Sequence, residues 1–117
     1  MEEATHAVLR DLPPLVVIDL HGEMTALAAK PVMDAYHRAS AQGARNLLLN
    51  FSHVDHVNSG GFAIVIGILT EARQAQQRIL LTGLTQHYAK IVKVMGLQAF
   101  APMFDTEEDA RASVAGE

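Results

Sequence analysis

At 117 residues, half of them hydrophobic, the chain has the size and content of one ordinary domain with a single core. Without cysteine there are no disulfides, iron–sulfur ligands or thiol nucleophiles, and without Trp and with few aromatics the core must be aliphatic. A net charge of −4 with no basic cluster argues against nucleic acid and anionic membrane as partners.

The N-terminus, MEEATHAVLRD, is acidic and lacks the apolar region of a secretory signal, and no apolar run approaches the ~20 residues that cross a bilayer. A soluble, cytoplasmic domain without membrane insertion is the expectation. A weak strand is predicted over His6 to Leu12. After Pro13-Pro14, residues 15 to 20 (LVVIDL) read as a buried strand ended by Gly22. A helical pattern runs from Thr25 or Ala26 to about Gln42, with Leu27, Val32, Met33, Tyr36 and Ala39 near one face. Pro31 fits only near its start, and Gly43 ends it. Residues 45 to 51 (RNLLLNF) form the next buried strand, followed by a polar turn and a helix over about 60 to 77. RILLTG is another strand. Thr85 caps a helix over 86 to 95 that Gly96 stops, Phe100 to Phe104 reads as a short edge strand, and Thr106-Glu107-Glu108-Asp109 has the form of a capping box before a last helix. Apolar strands separated by helices predict an α/β fold. A mostly parallel, mixed sheet of four to five strands packs with about four helices, in one domain over 1–117 with its core at about 6–115.

The stretch HVDHVNSGGFAIVIGIL, residues 53 to 69, is the least ordinary. Ser59 follows a strand and opens a helix, where unpaired N–H groups and the helix dipole favour negative charge by ~0.3–1 kcal/mol. Ligands and partners of open α/β sheets gather in such places. Gly60 and Gly61 are poor helix formers, each costing up to ~1 kcal/mol against Ala. They permit another molecule to approach the hydroxyl and backbone closely. The plainer alternative is that Asn58 or Ser59 only caps the helix. At 100° per residue, Gly61, Val65, Ile68, Leu69 and Ala72 form the core side. Gly60, Ala63, Gly67, Thr70 and Gln74 lie opposite, with Ile66 and Arg73 on the flank. An outward stripe so small and nearly uncharged suits a docking surface better than a solvated face.

On these residues the chain resembles the STAS domain, the family of bacterial anti-sigma factor antagonists and their relatives. The resemblance runs from about Leu15 to Ala112. It rests on VVIDLHGEMT, similar to the family's strand and Gly-Glu-x-Asp, and on ARNLLLNFSHVDHVNSGGFAIVIGIL, similar to its strand, valine-rich turn and Asp-Ser-Ser-Gly-leucine helix. ILLTGLTQHYAKIVKVMGLQAFAPMFDTEEDA resembles the remaining strand, helix, Gly-Leu and capping segment. The resemblance implies a non-enzymatic module without cofactor or metal, with Ser59 as phosphoacceptor. It also implies a partner switch: the unmodified domain binds an anti-sigma factor, usually a serine kinase, phosphorylation ends that binding, and a phosphatase restores it. A phosphate adds roughly −1.5 to −2 charges, which the helix start tolerates and a close-packed partner does not. The expected partner surface is Glu23, Thr25, Asn58, Ser59, Gly60, Gly61, Ala63, Ile66, Gly67 and Thr70, with His53 and His56 as marginal contributors.

The chain departs from the family pattern at Asn58, where the family has Asp, at Gly60, where it has a second Ser, and at Thr25, where it has Asp. Asn50 stands where the family often has Asp. These changes make the serine's surroundings less acidic and suggest a divergent partner. Tolerance of these changes fits a subunit of a larger assembly such as the stressosome, with a homo-oligomer also open; a separate alternative that keeps the fold is an accessory subunit of a lipid-transport ATPase without phospho-switching. Three rival chemistries are weaker. Ser59, His56 and Asp55 supply the residue types of a hydrolase triad, but acid and base are adjacent on the chain and no Gly-x-Ser-x-Gly elbow is present. His53, Asp55 and His56, with His21 near, do not have a strong metal-ligand spacing. Gly-Gly at a helix start without a Walker lysine is a weak nucleotide signal.

Overall fold

The computed structural model describes residues 6–115; the acidic segment 1–5 lies outside them. Strands β1 (His6–Leu12), β2 (Leu15–Met24), β3 (Asn46–Val57), β4 (Arg78–Thr82) and β5 (Met103–Phe104) form one sheet in the order β1-β2-β3-β4-β5. Only β1 and β2 pair antiparallel, so the sheet is mixed and mostly parallel as expected. Four α-helices accompany it: α1 (Ala29–Ala41), α2 (Ser59–Gln74), α3 (Gln86–Val94) and α4 (Glu107–Val114).

Strand alternation divides the apolar residues between the two faces. Ile18, Leu20, Leu47, Leu49, Ile79 and Leu81 point into the larger core, under α1, α2 and α3. Leu15, Val17, Leu48 and Leu80 point the other way and meet Ala110 and Val114 of α4. The helix ends follow local chemistry. Thr85 accepts from Tyr88 N–H and Thr106 from Asp109 N–H, each satisfying one orphan donor. Gly43 and Gly96 take positive φ just beyond α1 and α3.

Several boundaries differ from the sequence reading. β2 does not end before Gly22 but runs to Met24, and β3 continues through the polar run to Val57. The two tails pair across bulges, His21 with His53 and Met24 with Val57, so backbone pairing overrides the weak apolar signal there. The predicted start of α1 is a short 3₁₀ turn, Ala26–Ala28, whose tighter winding turns Leu27 outward: it is 86% exposed rather than in the core. α2 stops at Gln74, not 77, because Gln77 turns inward to accept from the Tyr36 hydroxyl at 2.5 Å and donate to Ser40 and the Ala44 carbonyl. The edge strand is only Met103–Phe104.

Candidate functional site

The paired tails of β2 and β3 carry the chain out past the sheet and set the start of α2. Asn58 N–H donates to the Met24 carbonyl at 3.1 Å, tying the end of β3 to the end of β2. The Asn58 side chain accepts from Gly61 N–H at 3.0 Å, and Phe62 N–H donates to the Asn58 carbonyl at 3.0 Å. Asn58 is therefore the cap. Ser59 is the first helical residue, exposed, and its hydroxyl has no hydrogen-bond partner among the described residues.

The two glycines face this chain's own backbone. A β-carbon on Gly61 would lie 2.1 Å from the Met24 carbonyl oxygen, and one on Gly60 would lie 2.7 Å from the Ala26 nitrogen. Their low helix propensity is offset by packing α2 directly on the end of β2 and the 3₁₀ turn. Gly61 is buried, as its place on the core side of the helix predicts, but Gly60 is covered by Ala26, which corrects the expectation that it faces outward and that the pair admits a partner. Gly67 does face open space, with nothing within 4 Å of a β-carbon placed there. Ala63, Ile66 and Thr70 are exposed beside it, and the Thr70 hydroxyl donates back to the Ile66 carbonyl at 2.9 Å. Glu23 pairs with His56 and sits one residue from Met24, so it borders the start of α2. Thr25 is occupied as the cap of the 3₁₀ turn, its hydroxyl accepting from Leu27 N–H at 3.2 Å.

Beside Ser59 lies an apolar groove of about 370 Å³, whose floor and walls include Phe62, Ala63 and Ile66 of α2 and Ile91 of α3 with Met95 just beyond it. Ile91, Met95 and Phe100 were missing from the sequence-based surface. The apolar positions Tyr88, Ile91, Val92 and Met95 have the i, i+3, i+4, i+7 spacing of an ordinary core-facing stripe, so nothing in the sequence set Ile91 and Met95 apart as groove lining.

The histidines serve structure at this end of the sheet. Those at 6, 21 and 53 line up across β1, β2 and β3, with ring centroids 5.5 and 5.0 Å apart and the His21 and His53 rings parallel. Parallel stacking does not converge ring nitrogens on one point, and no group of three or more metal-ligating side chains is placed to hold an ion among the described residues. His56 Nδ1 lies 3.2 Å from the Tyr88 hydroxyl, which also accepts from Val57 N–H at 3.1 Å. That bond fastens α3 to the end of β3 and gives His56 a partner other than Ser59.

On the opposite sheet face a polar cluster closes over the smaller core. Arg10 of β1 makes a two-pronged pair with Asp19 of β2, at 2.8 and 2.9 Å, and a second pair with Glu107 of α4. Asn50, buried in β3, donates to Asp19 at 2.8 Å and Glu107 at 3.3 Å, while its oxygen accepts from Ser52 N–H and hydroxyl. The Arg10 hydrogen bonds hold the Asp19 carboxyl below the usual aspartate range against the opposing effect of burial. An amide is required at Asn50: it alone both donates to two carboxylates and accepts from Ser52.

The chain is similar to known proteins. A Bordetella bronchiseptica protein named as an anti-sigma factor antagonist, BtrV, is 25% identical over 72 residues, a stretch that spans 62% of this chain and 62% of the relative's length, less than two thirds. The anti-sigma factor antagonist SpoIIAA in its unphosphorylated form superposes with a TM-score of 0.73 at 27% identity, covering 95% of this chain and 99% of SpoIIAA. The Bacillus cell fate determinant SpoIIAA in its phosphorylated form gives 0.71 at 26% identity, covering 92% and 98%. No helix among the described residues is long and apolar enough to cross a membrane. With a five-stranded mixed sheet, four helices, a serine opening α2, and a match of the STAS domain family model to residues 6–110, the chain belongs to the STAS domain family and has the fold of an anti-sigma factor antagonist.

Proposed function

We propose that this chain is a cytoplasmic partner-switching module, not an enzyme. Its unmodified form binds an anti-sigma factor or serine kinase through the start and outer side of α2, phosphorylation of Ser59 ends that binding, and a phosphatase resets it. The observation that carries this reading is the division of labour at the helix start: Asn58 takes the capping role, leaving the Ser59 hydroxyl exposed and uncommitted. A serine needed only for structure would be the cap itself.

Three further features support it. A phosphate at Ser59 would sit at the positive end of α2, whose first turn has no acidic residue, so the fold tolerates the added charge. SpoIIAA has this fold in both its unphosphorylated and phosphorylated forms. The neutral Asn58 in place of an aspartate removes one like charge from beside that phosphate. Glu23, Ser59, Ala63, Ile66, Gly67 and Thr70 form the proposed contact surface. The test is affinity purification with wild type and Ser59→Asp as baits, with phosphosite mapping of the native protein. Wild type should retain a kinase-like partner that Ser59→Asp loses; equal recovery by both baits rules out the switch.

A further inference from the structure

The groove beside Ser59 does not end at Ile66. A second groove of about 460 Å³ begins on the other side of that residue and continues between Leu69 and Arg73 of α2 and Leu97 and Phe100 beyond α3. The two adjoin at Ile66 and together form an apolar furrow in two halves along the outer side of α2, from Ser59, its first residue, to Gln74, its last. Its rim exposes large apolar side chains: Ile66 is 40%, Met95 43% and Phe100 55% exposed.

The segment that builds this furrow has a charge of opposite sign to the rest of the chain, with Glu23 of β2 bordering its Ser59 end. Residues 59–100 hold four of the nine Lys and Arg residues but only one, Glu71, of the thirteen Asp and Glu. Glu71 is turned to the far side of α2, where it meets His37 of α1 at 2.9 Å. Neither groove has an acidic lining residue, and Arg73, which lines the second, stands over the Phe100 ring at 5.5 Å. An apolar channel with one lining cation and no lining acid is thus set in a chain whose net charge is −4.

We infer, resting on the partner-binding reading above, that the furrow seats an acidic amphipathic helix of the partner protein. One wall is α2 and the other is α3 followed by the 3₁₀ turn Leu97–Ala99, so neither offers a strand edge that could extend a sheet, which leaves side-chain packing in a groove as the mode of recognition. The length of α2, 16 residues or about 24 Å, matches about four turns of a bound helix. Small residues at Ala63 and Gly67 permit close approach. An acidic side chain flanking the bound helix would meet Arg73. The same sign explains how a phosphate at Ser59 expels the partner: it places a like charge at the end of the channel where the acidic helix enters.

The test uses two labelled 16-residue peptides with Leu at i, i+3, i+4 and i+7 spacing, one with Glu and the other with Lys on the polar face. Binding to the full chain is read by fluorescence anisotropy and by backbone amide shifts. The Glu peptide should bind with shifts along α2, and weaken at least several-fold as salt rises from about 50 to 500 mM. Arg73→Glu should weaken it about tenfold. Gly67→Leu should abolish it by bulk in open space, with the fold unchanged. Lys30→Glu, the same charge change on α1 beside Asp34, should leave it unaltered. Equal or tighter binding of the Lys peptide overturns the proposal, as does no binding of the Glu peptide by a chain that sediments with phosphatidylglycerol vesicles, which would make the surface a membrane contact. Wild-type affinity of Ser59→Asp for the Glu peptide would instead discard the phosphorylation switch and leave the docking site standing.

Discussion

Helices α2 and α4 both have polar N-caps, Asn58 and Thr106, but they treat the positive charge of a helix start in opposite ways. The first turn of α4 is filled with its own acids, Glu107, Glu108 and Asp109, and Glu107 is held by Arg10 and Asn50. The first turn of α2 is Ser-Gly-Gly with no acid at all. One helix start is neutralised permanently and anchored to the sheet through side chains. The other is anchored through backbone packing, which leaves its outer surface uncharged. In a partner switch the second kind is the one that chemical modification can alter without disturbing the fold.

The largest effect should come from attacking the backbone anchor of α2. Gly61→Ala drives a β-carbon into the Met24 carbonyl, which is main chain and can yield only by shifting β2 or α2. Overpacking of this kind costs about 3 kcal/mol or more, read as a lower urea midpoint with unchanged slope. Gly60→Ser, which restores the serine of the family pattern, meets the backbone of Ala26 and should cost less, about 1–2 kcal/mol, because the 3₁₀ turn can shift. If both substitutions were neutral, the glycines would not be there for packing and the contrast between the helices would fail.

The side-chain anchor of α4 breaks differently. Asn50→Asp removes the donor shared by Asp19 and Glu107 and sets a third carboxylate beside them, with Arg10 the one cation bonded to the group among the described residues. Loss of these buried bonds should cost about 1–3 kcal/mol at neutral pH. The deficit should shrink in acid as the carboxylates protonate.

A smaller effect concerns pH. Because the folded Asp19 carboxyl lies below its ordinary value, its stabilising effect is complete above about pH 4, the unfolded value, and disappears as pH falls through the depressed folded one. Arg10→Met should lower Tm at pH 7 by a modest amount, since Arg10 is 41% exposed and its pairs are screened by solvent. It should also flatten the fall in Tm below about pH 4. A variant whose acid profile paralleled wild type would show that the guanidinium does not set that carboxyl.

The contrast also marks what could be read from the chain. Leu47-Leu48-Leu49 and Ile79-Leu80-Leu81 announced central strands, because burial on both faces erases alternation. Thr85, Thr106, Gly43 and Gly96 announced helix ends, because capping is local. What escaped notice was non-local. Arg10 and Glu107 are 97 positions apart, and no short pattern joins them. The tail of β3, from Ser52 to Val57, carries two histidines and an aspartate and looks like a turn; it is a strand only because β2 extends beside it. Gly60 and Gly61 stand out in the sequence as poor helix formers, but their neighbours are not legible there, since only the fold brings Met24 and Ala26 against them.

The smallest expected change is the most informative for the switch. Ser59→Asp puts a carboxylate in the uncharged first turn of α2, where the helix dipole favours it by about 0.3–1 kcal/mol at low salt. No hydrogen bond of the serine side chain is lost among the described residues. Tm should therefore stay level or rise by a few degrees, the gain fading as salt screens it, while a carboxylate on the buried side of α4, Ala110→Asp, should unfold the chain because Ala110 is buried against the sheet. A fall in Tm for Ser59→Asp would mean that the start of α2 resists charge. A phosphate there would then act by disrupting the domain rather than by repelling what sits on it.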